Sequence, residues 1–122
     1  MLLSAGMLTV VVALMHSVLG GRHLINPITR RTDLPVILGS ASHTRRTLHF
    51  GWHLLSLNWI GMAGLMMLMH FRPELKSPPF LVMTAGLFAV FGLISLVYSR
   101  GRHPAWWVFL PASALLALSA LG

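Results

Sequence analysis

The chain of 122 residues contains no cysteine. That removes disulfides, thiolate metal sites, covalent c-type haem attachment and cysteine nucleophiles together. Acid is nearly as scarce: Asp33 and Glu74 are the only carboxylate side chains, against nine Lys and Arg. Neither lies in an apolar run, which argues against an exporter driven through an intramembrane glutamate. There is no paired-carboxylate motif, serine nucleophile motif or phosphate-cradling glycine loop, so glycosidase, hydrolase and kinase chemistry have no support. Charge of any kind makes up 9% of residues, where a soluble domain would carry about 25%.

What remains is apolar. Hydrophobic residues make up 56% of the chain and the mean hydropathy is +0.77. Four runs, Leu2–Leu19, Phe50–Met69, Pro79–Val97 and Ala105–Leu121, contain no Asp, Glu, Lys or Arg. Roughly 17–25 apolar residues suffice for a helix to cross a hydrocarbon core of about 30 Å. Backbone in lipid must satisfy its own hydrogen bonds, and these runs lack the alternation of a barrel strand. The expected fold is an all-α integral membrane protein, a single domain of four transmembrane helices in an antiparallel bundle. No Lys or Arg precedes Arg22 and no small-x-small cleavage site follows the first run, so that run reads as a retained helix, not a signal peptide.

The net charge of +7 invites a nucleic-acid reading, but basic loops facing anionic lipid explain it more simply. Arg22, Arg30, Arg31, Arg45 and Arg46 fall in the first loop, Gly20–His49, and Arg100 and Arg102 in the third, Tyr98–Pro104. The positive-inside bias places both loops in the cytoplasm of a bacterial-type cell and both termini in the periplasm. The second loop, His70–Pro78, is short and proline-rich, which predicts a tight hairpin of the second and third helices. The first loop is long for a compact bundle. It mixes Leu24, Ile25, Ile28, Leu34, Val36, Ile37 and Leu38 with arginines, and reads as a segment in the membrane interface. Asn26-Pro27 and Asp33-Leu34-Pro35 are turn or extended signals. Arg30, Arg31, Arg45 and Arg46 are the candidate contacts to anionic lipid or an acidic partner.

The seven histidines carry the available chemistry. His16 lies three residues before the end of the first run and His53 three after the start of the second. Each is thus about 5 Å inside its helix end, at similar depth. His49, His53, Ser56, Ile60, Gly64 and Met67 fall on one stripe of the second helix, and Ala5, Thr9, Val12 and His16 on one of the first. Small and polar residues mark helix–helix faces in membranes, so both histidines are expected to face the bundle. Four readings follow. His16 and His53 ligate the iron of a b-type haem, or one of them a chlorin. His49 joins them in a metal site, though without the acidic residue of a zinc motif. The histidines relay protons or bind a transported substrate. Or they only hydrogen-bond to neighbours and hold helices together. Met62, Met66, Met69, Met83 and His70 could hold Cu(I), or simply fill the core.

The remaining features concern packing. Trp52, Trp106 and Trp107 lie where indole rings anchor at headgroup level. Asn58, beside the deeper Trp59, and Ser56 are candidate interhelical polar contacts, with Asn58 directed to another helix or a partner subunit. Ala85–Ala89–Gly92 and Ser113–Ala117–Ala120 offer close-packing faces. Pro111 removes one hydrogen bond from the fourth helix. The function expected from this sum is a small accessory or binding subunit of a larger respiratory, photosynthetic or transport assembly, or of a homo-oligomer. The chain reads as a component more readily than as a self-contained enzyme.

Overall fold

A computed structural model describes the whole chain, Met1–Gly122. It is helical throughout, in the order α1 (Leu2–Thr29), α2 (Ala41–Phe71), α3 (Pro78–Tyr98) and α4 (Trp106–Leu121), with one 3₁₀ turn at Pro73–Leu75. An isolated bridge between Ile37 and Ser40 is the only strand-like pairing. Three helices, α1, α2 and α3, are long and apolar enough to cross a membrane, whereas α4 has 16 residues.

The last two helices match the apolar runs to within a residue, but the first two outgrow theirs. α1 continues past Leu19 to Thr29, and α2 begins at Ala41 instead of Phe50. The first loop therefore shrinks to Arg30–Ser40, and most of the expected interfacial segment is helix. At 1.5 Å per residue, the 28 residues of α1 and 31 of α2 extend to about 42 and 46 Å. Both are longer than a hydrocarbon core, and the excess carries the arginines.

The continuation of α1 is a π-helix, His16–Ile25. Asn26 donates to the carbonyl of Gly21, five residues back, and a short α turn, Asn26–Thr29, follows. Asn26-Pro27 is not the break its sequence suggests, since proline in the first turn of a restarted helix lacks only a donor that has no partner there. Arg45 ends this helix from outside: its Nε donates to the Thr29 carbonyl at 2.9 Å and its Nη2 to that of Arg31 at 3.1 Å. Ser40 caps α2, its Oγ accepting the His43 N–H. Between them Leu38 and Gly39 turn the chain at positive φ, with Leu38 81% exposed at the tip. Thr44 ties the turn down, accepting the Ile37 N–H and donating to the Pro35 carbonyl.

In space the helices lie in the order α2–α1–α4–α3. α3 and α4 are the closest pair. Ser113 donates to the Ala85 carbonyl at 2.7 Å, and Gly92 lies against Leu110, where a Cβ would fall 2.6 Å from Leu110 Cδ2. The α4 face that is buried is Phe109, Ala112, Leu116 and Ser119, while Ala117, expected at the seam, is exposed. α4 continues unbroken through Pro111. α3 closes in a Schellman cap, Gly101 donating to the Leu96 carbonyl and Arg100 to that of Val97, with Arg100 in the left-handed region usually given to glycine.

α2 and α3, joined by the shortest connection, do not pack backbone against backbone. The prolines of the second loop set a turn but not a tight helical hairpin. Side chains bridge the gap instead: Trp59, Phe88, Phe91 and Phe109 form an edge-to-face aromatic cluster at the centre. Met66 and Met69 are buried in the same core, Met62 lies against it, and Met83 is 70% exposed. Three of the four methionines thus fill space and the fourth faces away, which leaves no copper cluster.

Candidate functional site

The histidines do their work along the seam of α1 and α2. His16 Nδ1 lies 2.9 Å from Ser56 Oγ, and Ser17 Oγ lies 2.6 Å from His53 Nδ1. Neighbours on α1 thus exchange an imidazole and a hydroxyl with residues one turn apart on α2. Further toward the basic end, Thr29 Oγ1 meets His49 Nε2 at 3.2 Å. Three hydroxyl–imidazole pairs therefore join the two helices, each satisfying a polar group that lipid would leave unpaired. The hydrogen-bonding reading of the sequence is the one this geometry displays.

His16 and His53 sit at similar depth on touching helices, but they do not share a cavity. His16 lines a partly open inner cavity of about 260 Å³ with Trp52, Trp59 and residues of α4. His53 is exposed on the opposite side of the seam, in an outer groove with Leu14, Val18, Phe50 and Leu57. The expectation that both face the bundle holds for His16 alone. Bis-axial haem ligation needs two imidazoles on either face of one macrocycle, and here the packed seam itself lies between them. The residues present do not fit that group. His49 lines neither space, and no three His, Cys, Asp or Glu side chains converge as a metal site would require.

Trp52 organises the inner cavity. Its indole stacks on the His16 ring with centroids 3.9 Å apart, and its Nε1 donates to the His16 carbonyl at 2.9 Å. Gly20 makes this possible, since a Cβ there would lie 2.5 Å from Trp52 Cζ2. The indole N–H thus falls on the first carbonyl of the π-helix and ties α2 to the backbone of α1 at the point where its register changes. Trp52 therefore serves the helix seam as well as any interfacial anchoring.

Two further residues complete the site. His103, in the third loop, lines both the inner cavity and a larger open cleft of about 540 Å³ between α2 and α3. Its Nδ1 accepts the Ala105 N–H at 3.2 Å, which places the proton of the neutral ring on Nε2. Trp59 forms a wall common to both spaces. It is 7% exposed, and its indole N–H is buried with no acceptor. In the sequence His103 stands out only in that Gly101-Arg102-His103 echoes Gly21-Arg22-His23, and such a repeat says nothing of depth or direction. The chain matches no family model, no curated protein and no solved structure.

The remaining candidates lie outside this site. Asn58 is exposed, and its only partner is the Met62 sulfur at 3.8 Å in its own helix, so no other helix of this chain receives it. Ser56, by contrast, is buried and does join two helices. Arg30 and Arg46 are exposed, and Arg31 is held by Asp33 at 2.8 and 2.5 Å. That pairing raises the Arg31 guanidinium above its ordinary range and lowers the Asp33 carboxyl below 3.8. Arg45 is occupied in capping α1.

Proposed function

We propose that the protein is a small four-span subunit of a bacterial inner membrane, with both termini periplasmic, whose role is binding within a larger membrane assembly. The observation that carries this reading is the cleft between α2 and α3. It is open along Leu55 and Ile94, and it shares Trp59, His103, Ala105 and Phe109 as lining with the cavity beside His16. A lateral opening in an apolar bundle admits molecules from the lipid phase, and concave apolar spaces with a few polar groups are where small ligands bind. No carboxylate, lysine or arginine lines either space, which favours binding of a neutral molecule over acid–base catalysis.

Asn58 supports the second half of the proposal. An exposed carboxamide deep in an apolar run gains most from a neighbouring helix, and none is present in this chain. Arg22, Arg30, Arg31, Arg46, Arg100 and Arg102 are exposed at the common end of the long helices, facing anionic lipid on the cytoplasmic side.

The absence of native cysteine makes a test direct. A nitroxide attached at Ser95→Cys in reconstituted protein should meet dissolved oxygen about as readily as one at lipid-facing Leu93→Cys. It should do so far more readily than one at Ala112→Cys in the core. Oxygen accessibility at Ser95 as low as at Ala112 overturns the lateral cleft.

A further inference from the structure

Building on that cleft, we infer that its ligand is a lipid-soluble quinone, a planar ring with two carbonyl acceptors and an apolar tail. Two polar groups of the site are donors waiting for acceptors. Trp59 offers an indole N–H, which can only donate, and nothing in the chain accepts it. His103 presents Nε2–H because the Ala105 N–H already occupies Nδ1. His16 has one nitrogen committed to Ser56 and the other uncommitted. A neutral ligand rich in carbonyl oxygen answers this set, whereas a plain acyl chain leaves every donor unpaired.

Shape narrows the class further. The inner cavity is walled by the indoles of Trp52 and Trp59 and by Phe109, flat surfaces that take a flat ring. The outer cleft continues along Leu55, Phe91 and Ile94 toward lipid, a path for a tail. Phosphate-bearing headgroups find no cation in either lining. The step is binding alone: the ring enters from the bilayer, its carbonyls receive hydrogen bonds from His103 and Trp59, and no bond is broken.

The test uses the full chain in nanodiscs of synthetic phosphatidylcholine, titrated with decylubiquinone labelled with carbon-13 at its carbonyls. Saturable binding with a carbonyl stretch lowered in frequency is expected. His103→Asn keeps an acceptor for the Ala105 N–H while removing the Nε2 donor, and Trp59→Phe keeps an aromatic wall while removing the indole donor. Each should weaken binding about tenfold, the change that corresponds to about 1.4 kcal/mol, and return the stretch toward its frequency in lipid. Brominated acyl chains provide the second arm. If they quench the protein by an amount that Trp59→Phe removes, while the quinone does not saturate, the cleft holds lipid and the quinone inference fails. If neither reaches Trp59, the cleft itself fails. Binding undiminished in both variants also overturns the inference, since the donors would then be idle.

Discussion

The imidazole of His16 lies flat on the indole of Trp52, with ring centroids 3.9 Å apart and planes within 11°. The same indole donates to the His16 carbonyl, so one side chain holds both the ring and the backbone of residue 16. This double hold depends on two backbone features of α1: the position of the His16 carbonyl at the start of the π-helical stretch, and the missing Cβ of Gly20. The inner wall of the cavity is therefore built by backbone conformation as much as by side-chain identity.

Gly20 and Gly21 should consequently respond differently to alanine. At Gly20 the new methyl would meet Trp52 at 2.5 Å, whereas at Gly21 it would meet His53 Cε1 at an ordinary 3.5 Å. Gly20→Ala is expected to cost about 1–3 kcal/mol as overpacking, and Gly21→Ala to be neutral or mildly stabilising, as for other glycines inside helices. Unfolding in mixed detergent micelles measures both. Equal effects at the two positions would show that Trp52 does not lie over Gly20.

The crossed pairs at the seam should be energetically coupled. Ser56→Ala leaves a half-buried His16 nitrogen without its hydroxyl and should cost about 1 kcal/mol. Ser17→Ala should cost less, because His53 is exposed. A double-mutant cycle of Ser17→Ala with His53→Ala should give a positive coupling of a few tenths of a kcal/mol or more. Strict additivity would mean that the hydroxyl and imidazole do not interact in the membrane.

Gly92 tests the opposite seam. A methyl there meets Leu110 at 2.6 Å, so Gly92→Ala should lower stability by about 1–3 kcal/mol. Leu110→Ala removes the obstructing side chain, and combining the two should recover part of the loss. No recovery in the double variant would place the strain elsewhere.

The proposed orientation rests on charge. Arg22, Arg30, Arg31, Arg45, Arg46, Arg100 and Arg102 are seven of nine basic residues, all at one end of the helices. A reporter active only in the cytoplasm should work when inserted between Arg30 and Ser40 and be silent after Gly122. The reverse pattern would invert the molecule.

The first loop should be insensitive to mild acid. Asp33 is held below its ordinary value of 3.8 by Arg31, so its contribution is complete above that value and fades only as pH falls through the lowered one. Protease sensitivity of Arg30–Ser40 should be flat from neutrality down to about pH 4 and rise below it. Because both groups are fully exposed, the rise should be small and further weakened by salt. A rise between pH 7 and 5 would show that the Arg31–Asp33 pair does not control the loop.

The sequence by itself determined the helical class, because apolar runs of membrane length leave the backbone no other way to pair its hydrogen-bonding groups. It also determined the limits of α3 and α4, which a Pro-rich start and a Gly-Arg-His turn punctuate. The buried Ala5, Thr9 and Val12 stripe of α1 was legible from spacing alone. Tertiary structure decided the rest. α1 runs ten residues past its apolar run because a π-turn, the Gly20 contact with Trp52 and the Arg45 cap stabilise polar helix that composition reads as loop. His53 lies at the rim of the seam, paired with Ser17 yet exposed, because the face of α2 that meets α1 is centred deeper, on Ser56, Trp59, Ala63 and Met66. His103 reaches the inner cavity only because α4 packs beside α1, not next to its neighbours in sequence alone. A periodic pattern states which residues share a face of one helix. Which helix meets that face depends on long-range packing, and the site arises from that choice.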